Sequence, residues 1–403
     1  MRIADVCEFW SPEGGGVKTY VEARWRAASA AGHFVSVIAP AACDAVTQVP
    51  GGELIEVKAP RHPVDPRYHI FWGTRRVHAA LDEARPDLVE ASSPWRGAWL
   101  VASWPGAVPR TVFMHEEPVM KWAYGWFDRW FARDTIDQRV VPWFWRHLKR
   151  LYARFDNLIC AAPSVAARLA RADIDNTLTI PMGVDAGVFS PDNRDEDLRT
   201  EQLQRMQLPA SATLLIGIGR LTAEKRWPVI VDAVRRAGKT RELGLLILGG
   251  GHASAKLART IESDVHIVHQ PPIADRTAYA RMVASADALV HASNAETFGL
   301  AAAEALASGL PLVAPDEGAI ADLAAPAWSE SYRTGSGVDA ARAIEALLAR
   351  LPAARAAAAA RPVRTLDAHF DDIFARYQAL AASHSRQERP QHGLALSRPR
   401  GGL

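Results

Sequence analysis

The sequence predicts an α/β protein made of two doubly wound parallel sheets facing a central cleft. Three observations carry that expectation. Strand-length apolar runs alternate with longer helical patterns through most of the chain, a βαβ rhythm that puts helices on both faces of a parallel sheet. The rhythm stops at a polar stretch and then restarts. Finally, 403 residues are more than one ordinary core accommodates, which suits two domains of roughly 150 to 200 residues each.

In the first half the pattern runs RIADVC, GVKTYVEARWRAASAAG, FVSVIAP, and later DLVEAS, TVFMH and LIC between helical stretches. After LTIPMGVDAGVFSP comes DNRDEDLRTEQLQRMQLPASA, which has no convincing strand; then LLIGIGR, LGLLILGG, VHIVHQ, ALVHAS and LPLVAP resume the rhythm. The boundary falls near residues 183 to 212, giving a first domain over 1–182 and a second over 183–365. A final amphipathic helix over 366–383 carries Phe370, Phe374 and Tyr377 on one side and is expected to cross back to the first domain. Residues 384–403, rich in Pro, Gly and Arg, are expected to be disordered.

Composition narrows the function. A net charge of +2 argues against a general nucleic-acid binder, which needs a surplus of Lys and Arg across its binding face. Cys7, Cys43 and Cys160 are widely spread with no C-x-x-C pair, so neither a disulfide framework nor a zinc site is expected. The longest apolar runs fall far short of the ~20 residues of a membrane span. The amino end begins directly on a strand pattern, not a signal sequence. A cytoplasmic protein in a reducing compartment is expected.

In doubly wound sheets ligands collect at the carboxyl ends of the strands, and the motifs cluster there. Gly14, Gly15 and Gly16 open the first helix; glycine admits a ligand close to the backbone and a helix start attracts anions, although a plain strand-to-helix turn remains open. The chain has neither G-x-G-x-x-G at this loop nor a P-loop. His115 ends the strand TVFMH; the fourth residue beyond it is Val119, so this is no H-E-x-x-H zinc site, and a structural histidine remains open. Arg220 and Lys225 in GRLTAEK follow a strand and suit a diphosphate, with two solvated charges as the alternative. A glycine-rich turn at residues 245 to 252 repeats the idea. In NAETFGLAAAEALASG, Glu296 precedes a helix and Glu304 lies within it, flanked by Ala303 and Ala305. A carboxylate among such small apolar residues needs a partner, because its unpaired burial is costly; ligand hydroxyls would serve.

Together these pieces resemble the GT-B glycosyltransferases, specifically the retaining family 4, whose second domain carries an E-x7-E motif. ETFGLAAAE matches it, and the resemblance extends through the GGG-V loop, His115, IPMGVDAGVFSP, GRLTAEK and the final helix, over roughly residues 1 to 380. It implies two Rossmann-like domains and a nucleotide-sugar donor, GDP- or UDP-linked. It further implies that Glu304 holds the ribose hydroxyls, Glu296 lies by the donor sugar, and Arg220 and Lys225 grip the diphosphate. Phe298, Gly299 and Leu300 match backbone amides facing sugar and phosphates, His115 a histidine near the reacting centre, and Gly15 and Gly16 a loop closing over donor and acceptor. No metal is expected, since the two cations supply the charge. One departure is the loop APDEGAIADL, with the single Gly318 where the family often has a glycine pair and a Glu.

Residues 121 to 155 hold five of the thirteen tryptophans and eight Lys or Arg against three Asp, whereas the whole of 1–182 has 22 basic and 20 acidic residues. Positive charge is therefore concentrated here. Trp122, Trp126 and Trp130 recur every four residues, and interleaved aromatic and basic residues suit a lipid headgroup region. Phe144, Leu148, Leu151 and Phe155 look like core, so internal packing stays open. The expected reaction is transfer of a hexose, mannose before glucose, to a lipid or glycan acceptor at the inner membrane face. A nucleotide-sugar epimerase and a two-domain small-molecule binding protein are the alternatives.

Overall fold

The computed structural model describes residues 1–387 apart from 13–14, 64–67, 125–126, 128–129, 132–134, 186 and 252. An eight-stranded sheet forms the first half, from β1 (Arg2–Val6), β2 (Phe34–Ala41), β3 (Ala45–Val49), β4 (Gly52–Lys58), β5 (Leu88–Ala91), β6 (Arg110–Phe113), β7 (Asn157–Cys160) and β8 (Thr177–Thr179). Their order is β3-β4-β2-β1-β5-β6-β7-β8. All neighbours are parallel except β3 and β4, an antiparallel hairpin. A six-stranded parallel sheet forms the second half from β9 (Thr213–Ile218), β10 (Leu243–Leu248), β11 (Ile267–Gln270), β12 (Ala288–Val290), β13 (Leu312–Pro315) and β14 (Ser329–Tyr332), in the order β11-β10-β9-β12-β13-β14.

Strands buried on both faces explain the unbroken apolar runs: all six residues of β10 are buried. Separate apolar clusters line the two faces of each sheet. Strand order reverses beside β1 in the first sheet and beside β9 in the second, opening a crevice at the carboxyl ends of each. The polar segment after the first sheet forms the helix Glu196–Arg205, capped by the Asp195 side chain, which accepts from the Leu198 amide.

The chain crosses between the sheets twice, and the crossings pair. Val184 and Thr365 form a parallel bridge, with the Val184 amide donating to Arg364 O at 3.0 Å and the Leu366 amide to Val184 O at 2.9 Å. The last helix, Leu366–Gln387, lies on the first sheet, where Phe370, Phe374 and Tyr377 are buried with Tyr20 and Phe113. It runs four residues past the expected start of a disordered tail at 384, because the amphipathic pattern needs no break there. Residues 388–403 lie outside the described residues.

Beneath the first crevice lies a fully buried ionic group. Arg24 donates to Asp5 at 3.1 Å and to Glu90 at 2.6 Å, all three with no exposed side-chain surface, and Ser92 donates to the other Asp5 oxygen at 2.7 Å. Burial pushes the Glu90 carboxyl up to about 8, against the pull of Arg24 and helped by Asp5; Asp5 is raised in the same direction. The folded state therefore binds these protons more firmly than the unfolded chain. Their stabilising contribution is complete below the ordinary glutamate value of 4.5 and is lost as pH rises through about 8. Denaturant titrations from about pH 5 to about pH 9 are expected to show a steeper fall in unfolding free energy for the wild type than for Glu90→Gln; parallel curves would contradict this.

Candidate active site

The second crevice is built first from β12 and the loop after it. β12 ends at Val290 and passes through His291 to Gly299, which starts the helix Leu300–Ala307 with φ of 90°. A Cβ on Gly299 would fall 2.1 Å from Ile320 Cδ1, so both conformation and space demand glycine. The turn leaves first-turn amides of the helix without intrahelical partners, a favourable place for anionic oxygens. A second close approach lies across β9 and β10, where a Cβ on Gly249 would fall 1.9 Å from Gly219 O. The glycine-rich turn after β10 thus packs its backbone on the turn that carries Arg220.

Glu296 and Lys225 form a tight ion pair across these loops, with 18% and 16% of their side chains exposed. His291, at the end of β12, places Nε2 3.5 Å from the same Glu296 oxygen. Burial alone would raise the Glu296 carboxyl; Lys225 and His291 outweigh it and hold the group well below the usual carboxylate range. Arg220 instead reaches into solvent, 53% exposed, with a loose pair to Glu224 at 3.4 Å. Lys225 is thus held against the carboxylate at the inner end of the site, and Arg220 lies more exposed at its edge.

Glu304 is 2% exposed. Arg276 donates to its Oε1 at 2.6 Å and the Tyr279 hydroxyl to its Oε2 at 2.7 Å. Burial raises its carboxyl above the ordinary value despite both partners. The two glutamates thus occupy different electrostatic surroundings eight residues apart, one on a loop and one inside a helix.

The first sheet meets this site directly. Thr297 Oγ1 donates to His115 O at 3.1 Å, the Ser164 amide donates to Asp322 at 2.9 Å, and Phe298 packs into the cluster that holds Tyr20, Phe113 and Ile159. The His115 ring lies against Tyr20 and Phe113, with centroids at 4.7 and 4.6 Å, and its Nε2 has no hydrogen-bond partner. The residue as a whole is half-buried. Burial first, then Arg24 and His369, push it down to about 3, so the imidazole is neutral at physiological pH. Gly15 and Gly16 are exposed at the start of the helix Gly16–Ala30 with open space about both; Gly14 and His252 lie outside the described residues.

The structure therefore brings together His115, Lys225, Glu296, Phe298, Gly299 and Leu300, with Glu304 one helix turn beyond and Arg220 at the edge. Sequence reasoning missed His291, Thr297, Arg276, Tyr279 and Asp185. His291 and Asp185 stood in quoted motifs, ALVHAS and IPMGVDAGVFSP, but nothing local marked their partners. The triplet Asp195-Glu196-Asp197 has a spacing suggestive of metal binding, yet Asp195 caps a helix and pairs with Arg281.

Comparison with known proteins bears on the fold and the class of reaction. The family model "Glycosyltransferase Family 4" matches residues 14–188 and the model "Glycosyl transferases group 1" matches residues 212–351. A GDP-mannose-dependent alpha-(1-6)-phosphatidylinositol dimannoside mannosyltransferase of Mycobacterium tuberculosis is 29% identical, over 83% of this chain and 87% of its own length. A GDP-mannose-dependent alpha-mannosyltransferase of Mycolicibacterium smegmatis is 29% identical, over 96% and 99%. Sucrose-phosphate synthase from Thermosynechococcus elongatus shares the fold at a TM-score of 0.69 and 18% identity, over 96% and 98% of the two chains. With both sheets and the two matched halves in agreement, the chain is a glycosyltransferase of GT-B fold whose first half matches the family 4 model.

Proposed function

We propose that the protein is a retaining mannosyltransferase that takes mannose from GDP-mannose and passes it to a lipid or glycan acceptor at a membrane surface. The observation that carries the reading is the cluster of Arg220, Lys225, Glu296 and Glu304 at the strand reversal of the second sheet. The preference for mannose and GDP rests on the relatives, whose names specify GDP-mannose. In this reading Glu304 accepts from the ribose hydroxyls, Arg220 and Lys225 take the diphosphate with the amides at the start of Leu300–Ala307, and Glu296 faces the sugar.

Cleavage of the sugar–phosphate bond leaves positive charge on the sugar and negative charge on the departing diphosphate. Cations and amides fixed at the diphosphate lower that barrier without reorganising, so no metal is needed. Retention in many glycosidases goes through a carboxylate nucleophile. Glu296 is poorly suited to that, since Lys225 and His291 engage the carboxylate and suppress its basicity. Front-face substitution fits better: the acceptor oxygen bonds to the sugar carbon on the side the diphosphate leaves, and its proton passes to a phosphate oxygen. His115 is neutral and its Nε2 is buried without a partner; in this reading it turns that nitrogen to the donor as a hydrogen-bonding group.

The acceptor side of the proposal rests on the helix Pro142–Tyr152. Trp145, Leu148, Leu151 and Tyr152 are core, while Trp143, Arg146, His147 and Arg150 are exposed at positions that share one face of a helix. Trp143 and Trp130 are each 61% exposed. This face suits an anionic headgroup layer. Trp126 lies outside the described residues, and no helix among them is long and apolar enough to cross a membrane.

A screen of GDP-, UDP- and ADP-sugars is expected to show the largest thermal stabilisation and slow hydrolysis with GDP-mannose, and Arg220→Ala is expected to cut turnover by ~10²-fold or more. Response to UDP- or ADP-sugars alone, or near-normal turnover in the variant, would overturn the assignment. Vesicles containing phosphatidylglycerol are expected to bind the protein in a salt-sensitive way, weakened when Trp143, Arg146 and Arg150 are changed together to Ala. Absent or unaltered binding would remove the membrane element.

A further inference from the structure

Glu304 poses a physical problem that its own helix does not solve. An ionised carboxylate at 2% exposure on LAAAEALA is costly unless it is paired and hydrogen-bonded. The solution comes from another helix, Arg276–Ser285. Its first residue, Arg276, supplies a guanidinium nitrogen at 2.6 Å, and Tyr279 one turn later supplies a hydroxyl at 2.7 Å, one donor for each carboxylate oxygen.

Arg276 is itself held from several sides. Its Nε and Nη2 donate to Asp185 Oδ2 at 3.1 and 2.8 Å, and its guanidinium lies over the Phe189 ring at 4.7 Å and near that of Tyr279 at 5.5 Å. Asp185 and Phe189 belong to the segment that joins the two sheets, and Asp185 also faces Arg26 of the first-domain helix Gly16–Ala30 at 3.6 Å. A planar fork in so fixed a setting gives direction as well as charge.

We propose that Arg276 is a positioning residue for nucleotide binding: it keeps the buried Glu304 ionised and aimed at the ribose hydroxyls, and anchors that carboxylate to the segment between the domains. The inference rests on the reading that Glu304 binds ribose. Each carboxylate oxygen has a further acceptor site after its present partner is counted, so one ribose hydroxyl on each completes the set.

The charged and titratable groups facing Glu304 are Arg276 and Tyr279 from one helix and Asp185 from the linking segment, with Arg26 behind Asp185. Burial already raises the Glu304 carboxyl; Arg276 and Tyr279 oppose that rise and Asp185 adds to it. Without the guanidinium the carboxyl rises further and takes up a proton at a higher pH than in the wild type. The proton turns an acceptor oxygen into a donor, and the affinity for ribose hydroxyls falls with it.

The test is calorimetric titration of the full chain with GDP at about pH 6 and about pH 8, each variant being referred to the wild type in the same buffer so that the nucleotide's own protonation cancels. Arg276→Gln is expected to lose a further ~10-fold in GDP affinity between the higher and lower pH, the equivalent of about one pKa unit. Arg276→Met, which keeps an apolar stem over Phe189, should behave alike, and Arg276→Lys should restore the wild-type pH profile. If the charge-removing variants lose the same factor as the wild type at both pH values, the positioning role is wrong. A parallel titration with 2′,3′-dideoxy-GDP separates the underlying reading: if the wild type binds it as tightly as GDP, the ribose role of Glu304 itself fails.

Discussion

A carboxylate taken out of water must be given a cation and hydrogen-bond donors, or the cost of burying it exceeds several kcal/mol. Three of the buried or half-buried acidic centres among the described residues lie at the crevices, and each meets that demand differently. Asp5 and Glu90 share Arg24 under the first sheet; Glu296 has Lys225 and His291; Glu304 has Arg276 and Tyr279. The first arrangement supports the floor of one crevice. The other two fix the positions of groups that a nucleotide sugar would meet, and both draw their partners from loops and helices remote in sequence.

That remoteness explains what could be read from the sequence. The βαβ rhythm, the restart after residue 212 and the returning final helix follow from local periodicity and apolar runs, which the buried strands preserve. Glu296 and Glu304 stood out because nothing near them offered a partner, and the structure supplies those partners across long sequence distances. Arg276 was not legible: in DRTAYARMVAS it looks like an ordinary exposed helix cation. Only tertiary contact with Asp185, Phe189 and Glu304 distinguishes it. The hairpin of β3 and β4 and the polar strand β14, SESY, were also missed, the first because it interrupts a parallel rhythm and the second because it lacks an apolar run.

Electrostatics also separates the two members of E-x7-E. Glu296 is driven well below the usual range by Lys225 and His291, which leaves a carboxylate able to accept a hydrogen bond but reluctant to take a proton or attack carbon. Glu304 is held above its ordinary value by burial and depends on its partners to stay charged. In the proposed reading, chemistry at the sugar falls to the charges around the diphosphate, while the glutamates hold the donor in place. The paired crossings at Val184 and Thr365, with Asp185 bound to Arg276, set that grip beside the connection between the sheets.

The most direct test of this division of labour is a crystal structure of the protein with GDP. The account predicts the ribose hydroxyls on Glu304, the diphosphate between Arg220, Lys225 and the amides at the start of Leu300–Ala307, and the Glu296 carboxylate left facing the space beyond the terminal phosphate. A nucleotide bound away from β9 and β12, or a ribose turned from Glu304, would contradict it.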